Sequence, residues 1–132
     1  KAFDTVSHQH ILHVLTQKGV DKHTVNTIRD LYTNCGTTIK LGGQCSERIR
    51  FLGGVKQGDP LSPLLFNLVL DPLLCSLERR GKGYRYGEQH ITSLAIADDL
   101  VLLSDSWEGM CENVVMVEDF CHQSGLQVQA AN

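Results

Sequence analysis

Two aspartates, Asp98 and Asp99, stand side by side between two apolar segments of strand-like composition, residues 91–97 and 100–103. Two negative charges at a tight turn repel each other and destabilise the turn unless something neutralises them. A divalent cation such as Mg²⁺ does so well, because it binds a few carboxylate oxygens together with phosphate and water. Aspartate pairs are also common in turns that simply face water. The pair is therefore a candidate metal site, and the surrounding sequence must decide between the two interpretations.

A second candidate site is the loop over residues 55–61, which contains Gln57 and Gly58 and leads into an apolar helical segment. Glycine fits where the backbone must approach a ligand closely, and a glutamine side chain can donate a hydrogen bond to a sugar or phosphate oxygen. The alternative is that Gly58-Asp59-Pro60 is only a turn into the helix, since these residue types favour turns.

The elements that must position these residues begin with two helices. Ser7 is placed to cap the first helix, which Gly19 ends. Asp21 is placed to cap the second, and Gly36 is its stop signal. Apolar residues recur at helical spacing in both helices: Ile11, Leu12 and Leu15 in the first, and Val25, Ile28, Leu31 and Tyr32 in the second. Each helix is thus predicted to bury one face.

A change of period after the second helix predicts a β-hairpin. Ile39 and Leu41 alternate with polar residues, and Ile49 and Phe51 do so again after an interval. Gly42-Gly43 lies between the two segments, and glycine pairs suit the tight turns that join antiparallel strands.

A long third helix is predicted from Ser62, which is placed as its cap, with Pro63 in its first position. Pro72 is expected to kink or divide this helix, because its ring removes a backbone donor and clashes with the carbonyl one turn back.

Strands and one more helix are predicted for the last third of the chain. A short strand at Tyr84–Tyr86 follows a glycine-rich turn, and the two apolar runs beside Asp98-Asp99 form two more strands. Ser106 caps a last helix that ends near Gly125, and residues 126–129 can open another strand. This order of elements predicts an α+β domain in which helices pack on an antiparallel sheet.

The bulk composition sets limits on the size and class of the protein, although its net charge is only weak evidence against binding to nucleic acid. The 132 residues fit one compact domain, and the net charge of −3 differs from the basic face that is usual in nucleic-acid-binding proteins. Five scattered cysteines form no Cys-x-x-Cys pair, which indicates free thiols in a reducing compartment rather than disulfides or zinc. No signal peptide or membrane-spanning run is recognisable, so we expect an intracellular protein, nuclear or cytoplasmic.

Four segments of the chain together resemble the ordered motifs of a known enzyme family. GVKQGDPLSPLLFN at residues 54–67 resembles motif B of the reverse transcriptases of non-long-terminal-repeat (LINE-type) retrotransposons, and AIADDLVLLS at residues 95–104 resembles their motif C. KAFDTVSH at residues 1–8 resembles the later half of motif A, and GLQV at residues 125–128 the start of motif D. The sequences of these motifs are most similar to those of the elements that insert into ribosomal RNA genes.

The resemblance implies a role for each matching residue. Asp98 and Asp99 match the catalytic acids that hold two Mg²⁺ ions, with Asp98 as the principal ligand and Asp99 as a weaker ligand or a residue that sets the turn. Gln57 and Gly58 match the loop that lines the incoming nucleotide. Phe3 matches a steric gate against a ribose 2′-hydroxyl, although a core phenylalanine is an equal alternative.

Motif A is only partly present in this sequence. The first catalytic aspartate of the family lies three positions before the lysine that corresponds to Lys1, so Asp4 is not that residue. For Asp4 and His8 we expect structural hydrogen bonds across the start of the first helix. At the other end, Asn132 stands where motif D is expected to carry a lysine.

The fold and activity that the resemblance implies are those of a polymerase palm. We expect residues 1–132 to be a partial reverse transcriptase domain, from late motif A to early motif D, without fingers and thumb and inactive in isolation. The parent enzyme would be an RNA-directed DNA polymerase that uses dNTPs, Mg²⁺, an RNA template and a DNA 3′ end as primer or target, with no membrane partner. The alternatives are a group II intron-type reverse transcriptase and a degenerate or domesticated copy that binds RNA or a partner without polymerising.

A basic cluster after the third helix admits two interpretations. One is a contact with a template or primer phosphate through Arg79, Arg80, Lys82 and Arg85. The other is a solvated helix end, because cations are favoured near a helix C-terminus. The sequence favours the second interpretation.

Overall fold

The computed structural model describes residues 2–56 and 58–129. A short 3₁₀ turn, Ala2–Asp4, opens the chain. The helices are α1 (His8–Gln17), α2 (Lys22–Thr33), α3 (Ser62–Arg80) and α4 (Trp107–Ser124). The strands are β1 (Gly36–Thr37), β2 (Lys40–Leu41), β3 (Gln44–Cys45), β4 (Ile49–Arg50), β5 (Tyr84–Tyr86), β6 (Gln89–Ile91), β7 (Ser93–Ile96) and β8 (Asp99–Leu102).

Helices α1, α2 and α4 begin and end close to the predicted residues. The carboxylate of Asp21 accepts a hydrogen bond from the backbone N–H of Thr24 at 2.9 Å, which caps α2. Ser106 caps α4 in the same way, and Gly125 ends that helix in the left-handed conformation, with φ +78°. Ser7 precedes α1, but its side chain makes no capping hydrogen bond.

The predicted hairpin is confirmed over residues 36–50, where β2 pairs with β3 next to the turn and β1 pairs with β4 farther from it. Gly42 and Gly43 form its two-residue turn and both have positive φ, +57° and +83°, as a type I′ turn requires. The side chains of β2 and β3 nearest the turn are exposed, and Leu41 has 82% of its surface exposed. The hairpin is therefore held by its backbone ladders more than by burial.

Helix α3 differs from the prediction at its start, and of the two predicted effects of Pro72 the division of the helix does not occur. Its cap residue is Leu61 and not Ser62, whose buried hydroxyl instead donates to the carbonyl oxygen of Lys56 at 2.5 Å. The helix also continues through Pro72 without a break. A proline removes one backbone hydrogen bond, and the buried positions on either side, Val69 and Leu73, offer packing that holds the helix together.

The hydrophobic core is built around α3, with α1 and α2 on one side and α4 on another. Its least exposed side chains, all under 2%, include Val6, Ile11, Leu65, Phe66, Val69 and Leu77. Because α3 contributes buried residues along its whole length, it is the element against which the candidate site is fixed.

The strands do not form the single antiparallel sheet that the sequence predicted. In the part of the chain that the structure describes, they form four separate two-stranded ladders, β1–β4, β2–β3, β5–β6 and β7–β8. Each strand is short, and most strand side chains are exposed, so a third strand is not brought in by burial. Residues 126–129 carry no strand, and β6 was not predicted as a separate element.

The structure also bears on two predictions, one about the cysteines and one about membrane-spanning segments. All five cysteines are free, as predicted, and two of them, Cys45 and Cys111, are exposed. Across residues 2–56 and 58–129, every helix lacks the length and apolar content that crossing a membrane needs.

Candidate active site

The aspartate pair lies at the tip of the β7–β8 hairpin. The strands pair in the register Ser93 with Leu102 through Ile96 with Asp99, which leaves Ala97-Asp98 as a two-residue turn. Asp98 is therefore a turn residue, whereas Asp99 is the first residue of β8. The two carboxylates enter the site from different backbone positions, although they are neighbours in sequence.

The turn contains a conformation that non-glycine residues seldom adopt. Ala97 has φ +52°, and it is the single non-glycine residue with positive φ among those that the structure describes. Such a conformation costs on the order of 1 kcal/mol and persists where the surrounding structure demands it. The immediate consequence is the placement of Asp98, which follows Ala97 directly.

The donor set fits part of a magnesium site. Asp98 and Asp99 are both exposed, so their carboxylates can reach a cation in solvent. The described residues contain no group of three or more His, Cys, Asp and Glu side chains that could hold a metal by themselves. Mg²⁺ is nevertheless commonly held by one or two protein carboxylates, with phosphate oxygens and water as its other ligands.

A cavity of about 840 Å³ lies beside the two aspartates. It brings together segments that are far apart in sequence: Ala2 and Thr5 from the first turn, Asp98 and Asp99 from the hairpin, and residues 126–129. Its apolar wall comes from α3 and α4: Leu70, Leu73, Leu74, Val117 and Phe120. The structure thus joins the segments that resemble motifs A, C and D around one concave surface.

The segment from Phe3 to Ser7 is held on two sides by backbone hydrogen bonds. On one side, the N–H groups of Val55 and Gly54 donate to the carbonyl oxygens of Phe3 and Val6 at 2.6 and 2.7 Å. On the other side, the N–H of Ser7 donates to the carbonyl oxygen of Ser124 at 2.8 Å. This arrangement fixes the motif A segment between the start of motif B and the end of α4.

Two glycines make this close packing possible. Gly54 has φ +83°, and a Cβ added to it would lie 2.8 Å from the backbone of Asp4. Gly125 has φ +78°, and its added Cβ would lie 3.1 Å from the carbonyl oxygen of Thr5. Both positions therefore require glycine for conformation and for space.

The loop before α3 leaves open space at Gly58. Gly58 has φ +85°, and apart from its chain neighbours no described residue has an atom within 4 Å of a Cβ added there. The side chain of Asp59 accepts from the N–H of Leu61 at 2.9 Å, so the loop is also an ordered turn into the helix. Gln57, the other predicted nucleotide-binding residue, lies outside the described residues.

Phe3 packs on the helix that follows this loop. Its ring stacks on Phe66 of α3, with 4.2 Å between the ring centroids and 17° between the ring planes. Phe3 remains half-buried, whereas Phe66 is 1% exposed. Neither Phe3 nor Gly58 lines the cavity at Asp98, so the structure brings the two aspartates together but leaves these residues to one side.

His8 has the structural role that the sequence predicted, with a different partner. Its Nε2 lies 2.9 Å from the carbonyl oxygen of Gly54, and its ring contacts Tyr32 at a centroid distance of 4.9 Å. The hydrogen bond therefore joins α1 to the Gly54 loop instead of crossing the start of the helix.

A buried asparagine for which the sequence predicted no role fixes the base of the β7–β8 hairpin. Asn113 of α4 is 0% exposed, and its side chain accepts from the N–H of Lys82 at 2.8 Å and donates to the Lys82 carbonyl oxygen at 3.0 Å. The same amide donates to the carbonyl oxygen of Leu103, directly after β8, at 3.5 Å. The one available signal was a polar residue on the apolar face of a predicted helix.

Residues 1–131 match the family model described as "Reverse transcriptase (RNA-dependent DNA polymerase)". The chain belongs to the reverse transcriptase family. Membership confirms the resemblance drawn from the four motifs, and it gives the Asp98-Asp99 hairpin a place in a family of nucleotide-polymerising enzymes.

Curated relatives of this reverse transcriptase segment are polyproteins of R2 elements. A retrovirus-related Pol polyprotein from type-1 retrotransposable element R2 of Popillia japonica is 46% identical over 132 residues, which are 98% of this chain and 19% of the relative. The polyprotein from type-2 element R2DM of Drosophila melanogaster is 39% identical over 130 residues, 98% of this chain and 12% of the relative. The chain thus spans a fifth or less of the relatives' length.

Proposed function

We propose that this chain is the catalytic palm segment of an RNA-directed DNA polymerase that serves the retrotransposition of an R2-type element. The observation that carries the proposal is the Asp98-Asp99 pair, exposed at the tip of the β7–β8 hairpin beside the cavity that Ala2, Thr5 and residues 126–129 also line. Family membership and the R2 relatives supply the reaction class.

Asp98 and Asp99 are the residues that would hold Mg²⁺. When bound, two such ions would stabilise the attacking 3′ oxygen and the leaving pyrophosphate of nucleotidyl transfer. Asp98 is proposed as the principal ligand, because its position in the turn leaves it free of strand pairing. Asp99 is tied to Ile96 in the ladder and is proposed to set the turn and bind more weakly.

The proposed substrates are dNTPs, an RNA template and a DNA 3′ end. The open space at Gly58 suits an incoming nucleotide, with Gln57 as a second proposed contact from the same loop. Phe3 is proposed to exclude a ribose 2′-hydroxyl with the exposed part of its ring, while the stacking on Phe66 holds the ring in place.

The proposed architecture is a palm in which the β7–β8 hairpin and the helices α1, α3 and α4 form the catalytic platform. Its support is the packing of the hairpin on two helices, since β7 contacts α3 and β8 contacts α4. Pairing of the exposed edges of β7 and β8 with further strands would complete an antiparallel palm sheet, and residues 1–132 would then be part of the reverse transcriptase domain.

The test is primer extension on an RNA template by a chimaera in which this chain replaces the aligned segment of the Drosophila R2DM polyprotein. In the chimaera, Asp98→Asn keeps the side-chain shape and removes the charge that attracts Mg²⁺. Extension should fall by at least about a hundredfold, equivalent to about 2.7 kcal/mol of lost transition-state stabilisation.

Asp105→Asn is the matched control for this experiment. Asp105 is an exposed aspartate in the loop after β8, and it carries the same chemical change at a position outside the cavity. It should extend primers like the unsubstituted chimaera. Equal loss in both variants would contradict the catalytic assignment of Asp98, and an unsubstituted chimaera that binds RNA without extending would indicate a degenerate copy.

A further inference from the structure

A second cleft, of about 490 Å³, lies between α1 and the C-terminal half of α3. Three cations line it: Lys18 at the end of α1, and Arg79 and Arg80 in the last turn of α3. Gln17 and Ser76 add uncharged polar groups to the same surface. With three cations and one carboxylate, Asp71, the cleft carries a net positive charge in a chain whose net charge is −3.

This cleft is separate from the cavity at Asp98. The cleft takes Asp71, Cys75 and Arg79 from α3, which are spaced four apart and so lie in one row along the helix. The cavity takes Phe66, Leu70, Leu73 and Leu74, which lie on a different side of the same helix. A ligand in the cleft would thus contact the protein across α3 from the catalytic hairpin.

The charges in the cleft are only partly compensated. Lys18 forms an ion pair with Asp71, and this hydrogen bond raises the pKa of the Lys18 ammonium group. Across residues 2–56 and 58–129, neither Arg79 nor Arg80 has a carboxylate within ion-pair distance. One guanidinium N–H of Arg80 donates to the Ser76 hydroxyl at 2.6 Å, which holds Arg80 along the helix and leaves its charge uncompensated.

We propose that this cleft, which we call the α1–α3 cleft, binds the phosphodiester backbone of a nucleic-acid strand through Arg79, Arg80 and Lys18. Arginine guanidinium groups bind phosphate oxygens in a fixed fork, and lysine binds them as a point charge. Contacts of this kind position a strand without reading its sequence.

The dimensions and the charge favour a polymer over a small anion. Three cations from two helices line a cleft whose volume is far larger than that of one phosphate group, so a single phosphate cannot fill it. Successive phosphates of one strand can, and each such contact releases counterions. This contact is distinct from nucleotidyl transfer and does not depend on the assignment of Asp98.

The test measures binding of a fluorescein-labelled uridine oligonucleotide to the 132-residue chain by fluorescence anisotropy over a series of salt concentrations. In the double variant Arg79→Gln and Arg80→Gln, Kd should rise about tenfold at low salt. The slope of log K against log salt should shrink by about 1.4, because two single-strand phosphate contacts are lost.

The matched control is the double variant Arg29→Gln and Arg50→Gln, which removes the same charge from exposed positions on α2 and β4. Its Kd should stay within about twofold of the unsubstituted chain, because remote charges contribute only a screened, long-range attraction. Equal weakening in both double variants would mean that only net charge matters and would overturn the proposal. So would the absence of measurable binding at low salt.

Competition with inorganic phosphate distinguishes a site for a nucleic-acid strand from a site for a free phosphate anion. At equal ionic strength, phosphate and chloride should displace the oligonucleotide equally, because the site needs several linked phosphates. Stronger displacement by phosphate, lost in the Arg79→Gln and Arg80→Gln variant, would instead define a site for a free phosphate anion and overturn the proposed polymer contact. Melting curves of all variants should coincide, since all four arginines are exposed.

Discussion

Asp98 and Asp99 are neighbours in sequence but differ in how the backbone holds them. Asp98 sits in the turn after the strained Ala97, whereas Asp99 pairs with Ile96 in the ladder. A substitution at Asp98 should therefore act on charge with little effect on the fold, whereas one at Asp99 also touches the strand.

The first prediction separates the destabilising repulsion between the two carboxylates from their binding of Mg²⁺. Without Mg²⁺, Asp98→Asn should melt at the same temperature as the unsubstituted chain or slightly higher, because repulsion between adjacent carboxylates is relieved. With Mg²⁺ at about ten times its Kd, the unsubstituted chain should gain about 1.4 kcal/mol of stability and the variant clearly less. Thermal melts with and without Mg²⁺ measure both effects, and an equal Mg²⁺ response in the two proteins would refute the metal assignment.

The second prediction concerns Phe3. Phe3→Val in the chimaera should raise ribonucleotide incorporation while dNTP extension stays largely intact, if the exposed part of the ring excludes the 2′-hydroxyl. The stacking on Phe66 means that the substitution also costs about 1 to 3 kcal/mol of stability. Extension assays with each nucleotide type, run below the melting temperature of the variant, separate the effects. Parallel loss with both nucleotides would mark Phe3 as a packing residue.

Among the elements, α4 holds the β7–β8 hairpin in place through Asn113. Its amide satisfies both backbone groups of Lys82 and reaches the Leu103 carbonyl oxygen just after β8. Backbone polar groups that lose such a partner in a buried site are costly, and this makes Asn113 more important for stability than its residue type suggests.

The third prediction follows from this contact. Asn113→Ala should lower the free energy of unfolding by about 2 to 4 kcal/mol, because buried donors and acceptors lose their partner and a small cavity forms. Asn67→Ala, at an exposed position on α3, should change it by less than about 0.5 kcal/mol. Urea unfolding of both variants provides the measurement. Similar values for the two variants would show that Asn113 is not needed to anchor α4.

Local signals in the sequence predicted the elements far better than their assembly. The Asp21 and Ser106 caps, the Gly42-Gly43 turn and the Gly125 helix end all depend on neighbouring residues only. Ser62 failed as a cap because its hydroxyl bonds to the Lys56 carbonyl oxygen, a contact set by the folded loop. Propensity rules count what a residue can do locally, and tertiary contacts decide among those options.

In the candidate site, too, the local sequence predicted some features, and contacts distant in sequence set the others. Asp98 and Asp99 were singled out by their residue types and flanking apolar runs, but the two-residue turn is Ala97-Asp98, one residue before the position that those runs predicted. The conformation of Ala97 and the contacts of Asn113 could not be predicted, because nothing in their local sequence marks them. The expected single sheet also failed, since strand pairing depends on partners distant in sequence.

At the scale of the whole molecule, three helices meet around His10. Its Nε2 lies 3.4 Å from the carbonyl oxygen of Val69 in α3, and its ring packs edge-on against Phe120 of α4 at 5.3 Å between centroids. Burial lowers the pKa of His10 below its usual 6.5, the hydrogen bond to the Val69 carbonyl opposes this, and the charge of His13 on the same helix adds to the lowering.

The fourth prediction is a loss of stability in mild acid. Below pH 6.5 the unfolded chain protonates this histidine while the folded chain resists, so the unfolded state binds more protons and stability falls as pH falls. The loss should level off once the pH passes below the lowered pKa of the folded state.

His10→Gln should reduce this pH dependence, whereas His90→Gln, at an exposed strand position, should preserve it. Melting temperatures across the range provide the comparison, and identical pH profiles for the two variants would exclude His10 as the cause.

The hydrogen bond between Ser7 and Ser124 also constrains how the protein is made. The segment around Ser7 leaves the ribosome near the beginning of this stretch of chain, and its partner emerges near the end. Contacts so distant in sequence form late, after the local helices and hairpins. Until α4 has been synthesised, Val6 and its neighbours lack one of their two supports, and the apolar face of α3 is available to chaperones or to aggregation. A chain that ends before Ser124 thus lacks the C-terminal wall of the cavity beside Asp98.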